Sequence, residues 1–147
     1  MKKKLLINIL FLSVFCVNAY ADETPTNYLQ RINEYEIDVN DTTIYTLVDE
    51  RAQFVGGDRA LMKWLNDNIN YPIYAAAEMS IQGKVFVKFV VEKDGSITNI
   101  EITKSVHISL DKEAIRLVGK MPNWEPAIKD NKIVRSYFIL PVTFILR

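Results

Sequence analysis

The chain carries few groups that could do covalent chemistry. His107 is its only histidine and sits in a connection after a strand-like stretch, where a lone imidazole is a loop residue. Cys16 is its only cysteine and lies in an apolar run at the N-terminus. Once that run is removed, no disulfide, metal thiolate or thiol nucleophile is available. One histidine without cysteines gives no metal ligand set. Asp111 and Glu113 stand two residues apart. On a helix they point in different directions, and their place in a first turn suits the positive end of its dipole. Gly56-Gly57 precedes a helix, but it lacks the Lys-Ser/Thr of a P-loop and the spacing of a dinucleotide fingerprint, which leaves a turn. The pattern therefore argues against an enzyme and against a cofactor or metal. A site assembled by the fold from distant residues stays open.

What the chain does offer is backbone chemistry. Val134 to Leu146 reads as one long strand, with Val134, Phe138, Leu140, Val142, Phe144 and Leu146 on one face and Arg135, Tyr137, Ile139, Thr143 and Ile145 on the other. Pro141 falls within it. A proline donates nothing to a ladder, so the strand belongs at a sheet edge or carries a bulge there. An edge presents unpaired N–H and C=O groups to an extended peptide, and alternate side chains add specificity. The plain alternative is a last core strand whose proline blunts its edge against aggregation. Arg135, Tyr137, Ile139 and Thr143 are the candidate alternating contacts.

The elements that must position this strand are legible around one hairpin. Val85, Val87, Phe89 and Val91 recur at every second residue, the strand period. Asp94-Gly95 then supplies a tight turn, and Ile100 and Ile102 alternate with Asn99, Glu101 and Thr103. The hairpin is expected at roughly 84–92 and 96–104. Helices are expected at about 58–69, capped by Asp58, at 73–80 beginning after Tyr71-Pro72, and at 110–121, capped by Ser109. Tyr28 to Ile37 has loose helical spacing, and Thr43 to Val48 reads as a short strand. Lys129-Asp130-Asn131-Lys132 reads as a solvated loop. The fold class is α+β: an antiparallel three-stranded sheet, made of the hairpin and a long C-terminal edge strand, with helices packed on one face.

The chain has 147 residues with 49% hydrophobic and 24% charged, and a formal net charge of zero. It is expected to hold one domain and an address. Lys2-Lys3-Lys4, the apolar run Leu5 to Val17, and Ala19-Tyr20-Ala21 have the form of a secretory signal peptide, with cleavage after Ala21. The run is 13 residues, short of the roughly 20 that an uncleaved membrane anchor needs. Acylation of Cys16 would ask for a small residue before it, and Phe15 stands there. Removing residues 1–21 takes away three lysines and no acid, leaving 15 basic against 18 acidic residues. That balance does not favour nucleic acid or an anionic membrane surface. The expected organisation is a signal peptide (1–21), an N-terminal extension with one short strand (22–51), and a folded domain (52–147). The chain is expected to be exported.

From Phe54 onward, several motifs follow one another in order. They are Gly56-Gly57 before a helix, Asn68-Ile69-Asn70-Tyr71-Pro72, Ile81-Gln82-Gly83-Lys84-Val85 and Phe89 to Gly95. Leu110 to Ala114, Met121-Pro122-Asn123-Trp124-Glu125-Pro126 and Leu140 to Phe144 complete the set. In this order and spacing the chain resembles the C-terminal domain of TonB-family energy transducers, in a Bacteroidetes-like form. The resemblance implies a three-stranded antiparallel sheet backed by helices. It also implies that the last strand pairs with the TonB box, a short peptide near the N-terminus of an outer-membrane receptor, in nutrient or siderophore transport. No small-molecule substrate is implied, and a homodimer through the terminal strand is a further option. Tyr71, Pro72, Gly83, Asp94, Gly95, Trp124 and Pro126 are the motif residues expected to shape the domain rather than touch a partner. The chain departs from the full transducer pattern in lacking a Pro-rich span before the domain. The same fold could therefore serve as an exported envelope-interaction module without energy transduction.

Overall fold

A computed structural model describes residues 34–72 and 80–145. The elements in order are β1 (Ile44–Tyr45), β2 (Gln53–Phe54), α1 (Gly57–Asn68), β3 (Gly83–Val91) and β4 (Ile97–Lys104). They are followed by α2 (Ile108–Gly119), β5 (Trp124–Glu125), β6 (Ala127–Lys129) and β7 (Lys132–Phe144). The α+β class matches the expectation. The strand count does not: the main sheet has five strands in the order β1-β7-β3-β4, with β6 also paired to β7, and β2 pairs with β5 in a separate ribbon. The expected signal peptide and the expected helix at 73–80 lie outside the described residues apart from Ser80, as does most of Tyr28 to Ile37. In the described part of that last stretch Glu36 forms a parallel bridge to Lys132 instead of a helical turn.

Strand alternation decides the core. Val85, Val87, Phe89 and Val91 are fully buried. Leu110, Ala114, Leu117 and Val118 of α2 and Leu61 and Leu65 of α1 join them in one cluster. Fully burying each such large aliphatic or aromatic side chain contributes roughly 1.5–3 kcal/mol. Trp124, one of the motif residues expected to shape the domain, is the hub of this cluster. Its ring stands edge-on to Phe54, Phe89 and Phe138 with centroids 5.7, 5.4 and 4.7 Å away.

The hairpin turn is tied to that hub. Glu92 N–H donates to the Ser96 carbonyl at 2.9 Å. The Asp94 carboxylate accepts from the Ser96 N–H at 2.9 Å and its hydroxyl at 2.6 Å. Gly95 has φ +83°, and its carbonyl accepts from Trp124 N–H at 2.8 Å. A Cβ on Gly95 would lie 2.0 Å from the Trp124 carbonyl oxygen. Glycine is required there both for the left-handed backbone and for the close approach.

Both expected helix caps are corrected. Gly56, not Asp58, is the N-cap of α1, with no side-chain cap bond; Asp58 lies one residue into the helix, in its first turn. His107, not Ser109, caps α2: its Nδ1 accepts from the Ser109 N–H at 3.2 Å. Asp111 lies in the first turn of α2 as expected, but Glu113 lies beyond it and has a different role. It is buried, accepts from the Asn70 N–H at 2.7 Å, and receives Arg116 Nε at 2.6 Å and Nη2 at 2.5 Å. Arg116 Nη2 also donates to the Asn68 carbonyl at 2.8 Å. This knot fixes the end of α1 and the Tyr71-Pro72 segment against α2. Lys129 to Lys132 is solvated, as expected, and is the turn of a β6–β7 hairpin: Asp130 and Asn131 are exposed, at φ +49° and +59°, the pair of left-handed residues that a two-residue hairpin turn favours.

Candidate functional site: the open edge of β7

β7 lies antiparallel to β3 with unbroken register from Gly83↔Phe144 to Val91↔Ser136. The direction of its backbone groups follows from the hairpin. Glu92 N–H points to the β4 side, so residues 86, 88 and 90 also face β4 and residues 85, 87, 89 and 91 face β7. Their register partners Ser136, Phe138, Leu140, Val142 and Phe144 turn their backbone groups toward β3. Arg135, Tyr137, Ile139, Pro141 and Thr143 turn theirs away. Pro141 pairs with Phe86 without a bulge, because the N–H it lacks would have faced outward. The register shifts lie instead between β3 and β4, beside Phe86/Val87 and Lys88/Val90.

The outward side of β7 is not open along its whole length, which corrects the expectation of a simple edge strand over Val134 to Leu146. The strand spans Lys132–Phe144. β1 pairs parallel with it at Ile44↔Arg135 and Tyr45↔Ser136, so only two of the residues expected as a Thr43–Val48 strand form it. Beyond Ser136, no strand among the described residues covers the outward side. That stretch offers the N–H and C=O of Ile139 and Thr143 and, between them, the carbonyl of Pro141. Side chains alternate in step: Tyr137, Ile139, Pro141 and Thr143 are exposed, whereas Leu140, Val142 and Phe144 are buried. The same residues therefore present both backbone groups and side chains to a neighbour.

Arg135 behaves differently from the other three candidates. Its Nε and Nη2 donate to the Glu92 carboxylate at 2.6 and 2.9 Å, and its Nη1 donates to the Thr42 carbonyl at 2.7 Å. The guanidinium, together with a hydrogen bond from the Thr98 hydroxyl, holds Glu92 below the usual carboxylate range, and the carboxylate in turn raises Arg135. Lys93 Nζ donates to the carbonyl of Asp38 at 2.5 Å and to that of Asp41. On the outer face Lys88 Nζ lies 4.2 Å from the Tyr137 ring centroid and 2.9 Å from Glu101. The site therefore comprises Tyr137, Ile139 and Thr143, while Arg135 locks the covered part beside it.

The other edge left open among the described residues, β4, makes a poorer template. Its register with β3 shifts twice and Asn99 sits at φ +51°. Bulges and charges of this kind turn an edge away from pairing.

The motif residues take shaping positions. The Tyr71 hydroxyl donates to the Ile81 carbonyl, and its ring stands edge-on to Phe144 at 5.9 Å. Pro72 follows it, half-buried. Gly83 opens β3 opposite Phe144. Asp94, Gly95 and Trp124 form the turn described above, and Asn123 Nδ2 donates to the Asp94 carbonyl at 3.2 Å. Pro126 separates β5 from β6. Sequence reasoning missed the pairing of residues 36–50 with β6 and β7, and Glu92 and Lys93 as their anchors. The β-branched run at Thr43-Ile44-Tyr45-Thr46 signalled a strand, but nothing in it named a partner.

A family model described as "Gram-negative bacterial TonB protein C-terminal" matches residues 67–146. No curated protein matches the chain by sequence. Two solution NMR structures of the Helicobacter pylori TonB C-terminal domain are similar to it, each 22% identical with a TM-score of 0.44. The longer covers 59% of this chain and is covered over 78% of its own length; for the shorter the shares are 58% and 89%.

Proposed function

The chain belongs to the Gram-negative bacterial TonB protein C-terminal family, and on that premise we propose that it captures N-terminal peptides of outer-membrane receptors by strand addition to β7. The peptide is the TonB box of a TonB-dependent receptor, and the setting is the periplasm, reached through the signal peptide at residues 1–21. The observation that carries this reading is the coincidence, at Tyr137, Ile139 and Thr143, of outward backbone groups with exposed side chains. Backbone hydrogen bonds supply affinity there, and the alternate side chains discriminate among peptides. The family is one of interaction and transduction rather than catalysis, and His107, the residue on which an enzyme would have rested, caps α2.

A second reading, an envelope-interaction module without energy transduction, is favoured by one observation. Residues 36–50 pair with β6 and β7, so this stretch belongs to the folded domain and is not an extended tether.

Calorimetric titration of the purified protein with synthetic peptides covering receptor N-termini tests the proposal. Saturable binding is expected, and Ile139→Pro should weaken it at least about tenfold, the equivalent of one or two lost backbone hydrogen bonds. The fold should survive, because the Ile139 N–H faces away from β3 and Pro141 is tolerated two residues on. Binding that is absent, or that Ile139→Pro leaves unchanged, overturns strand addition at this edge.

A further inference from the structure

Residues 36–50 lie outside the segment matched by the family, yet they are built onto the strand that carries the candidate site. Glu36 exchanges backbone bonds with the β6–β7 turn: its N–H donates to the Asn131 carbonyl at 3.3 Å, and its carbonyl accepts from Ile133 N–H at 3.0 Å. β1 then pairs parallel at Arg135 and Ser136. The chain leaves β7 at that point. Asp49 and Glu50 donate to the Ile128 carbonyl at 2.9 and 3.0 Å, and Ile128 N–H donates to the Glu50 carbonyl at 2.9 Å. Three side chains hold the segment from the domain side. Arg135 reaches the Thr42 carbonyl, Lys93 reaches the carbonyls of Asp38 and Asp41, and Glu92 fixes Arg135. Within the segment the Asp41 carboxylate accepts from the Thr43 N–H at 2.9 Å and the Tyr45 hydroxyl at 3.1 Å.

We propose that residues 36–50 are a built-in stop on the β7 edge: they occupy its first part, so a captured peptide pairs only from Tyr137 to Thr143 and ends where β1 begins. The inference rests on the strand-capture reading and deepens it by fixing the partner's register and length. The partner is a short extended segment making few backbone bonds, with a gap opposite Pro141. Longer strand-forming segments gain nothing from residues beyond the stop. The segment's occupancy of Arg135 also excludes that side chain from reading the peptide.

Hydrogen exchange of the purified protein, before and during titration with the receptor N-terminal peptides, tests this. In the free protein the Arg135 amide, facing β1, should exchange at least about a hundredfold more slowly than the Ile139 amide, which faces the open side. Two variants loosen the stop. Tyr45→Pro removes an N–H from β1, and Lys93→Met releases the Asp38 and Asp41 carbonyls. Both lie away from the open edge, and the second keeps the segment's own sequence. In each, Arg135 protection should fall toward that of Ile139. Peptide-induced shifts should then spread from residues 137–144 into 133–136, and long peptides should gain about tenfold in affinity while short ones gain nothing. Equal exchange at Arg135 and Ile139 in the unmodified protein overturns the stop whatever the peptides do. Peptide binding that strips protection from Ile44 and Tyr45 also overturns it, because the segment would then be a displaced competitor. A flat titration with the exchange contrast intact overturns strand capture itself, and with it the stop's role in capture.

Discussion

The two halves of β7 share one alternation and have different surroundings. Arg135, Tyr137, Ile139 and Thr143 all turn side chain and backbone outward. Over Lys132–Ser136 the outward side is paired by Glu36 and β1 and fastened by the Arg135–Glu92 contact. From the Tyr137 carbonyl on, among the described residues, it is left open. The pattern within a strand sets which groups face outward. Whether they are available depends on chain some ninety residues away in sequence. The roofed half is tied into the fold, and the open half is the one proposed for recognition.

A change that should disturb both halves together is Gly95→Ala. The new Cβ would meet the Trp124 carbonyl at 2.0 Å with φ fixed at +83°, so the turn and the aromatic hub cannot both keep their places. A loss of roughly 3–5 kcal/mol is expected in denaturant unfolding, at the severe end for single substitutions. A smaller effect would show that the turn relaxes without moving Trp124.

Arg135→Met separates the halves. It strips Glu92 of its cation and Thr42 of a donor, and should cost about 2 kcal/mol, the range for hydrogen bonds to a charged group. Peptide affinity at the open half should stay within a factor of about 3 on the affinity scale. If affinity fell in proportion to stability, the two halves would be one unit.

The same contact gives a pH signature. Arg135 holds the Glu92 carboxylate below its ordinary range when folded, so the unfolded chain takes up this proton first as pH falls. The stabilisation is fully present above the ordinary glutamate value, about 4.3, and is lost as pH falls through the lower folded value. Denaturant midpoints measured downward from pH 5 should decline in the unmodified protein, and in Arg135→Met the part due to the Arg135–Glu92 contact should disappear.

The smallest effect is expected from Thr143→Ala on the open half. Its side chain is exposed, so stability should change by no more than about 0.5 kcal/mol. Binding should weaken only slightly, because the backbone groups remain. A large loss of binding would move recognition from the backbone to this side chain.

The sequence made most of the frame legible. Val85, Val87, Phe89 and Val91 announced a buried strand face, Asp94-Gly95 a turn, and Pro141 an outward-facing nitrogen, because each is a local consequence of strand period or backbone chemistry. The alternation that selects Tyr137, Ile139 and Thr143 was legible for the same reason. Most of what was hidden depends on non-local partners; the His107 cap, made two residues on, was a local choice between His107 and Ser109. The motif marks Trp124 as a shaping residue, but its place as the hub depends on Gly95, Phe54, Phe89 and Phe138 closing around it. His107 and Glu113 looked like a stray imidazole and a dipole acid. Their roles depend on the Ser109 amide and on the Asn70 amide 43 residues away. Parity groups Arg135 with the contacts, and only the position of Glu92 and Thr42 removes it.

Amide NMR titration of the purified protein with peptides from receptor N-termini tests the central claim most directly. Strand capture predicts saturable shifts concentrated in residues 137–144 and in the facing β3 residues, with β4 and α2 unmoved. Saturable shifts centred on β4 or α2, or a flat titration of a folded spectrum, would contradict it.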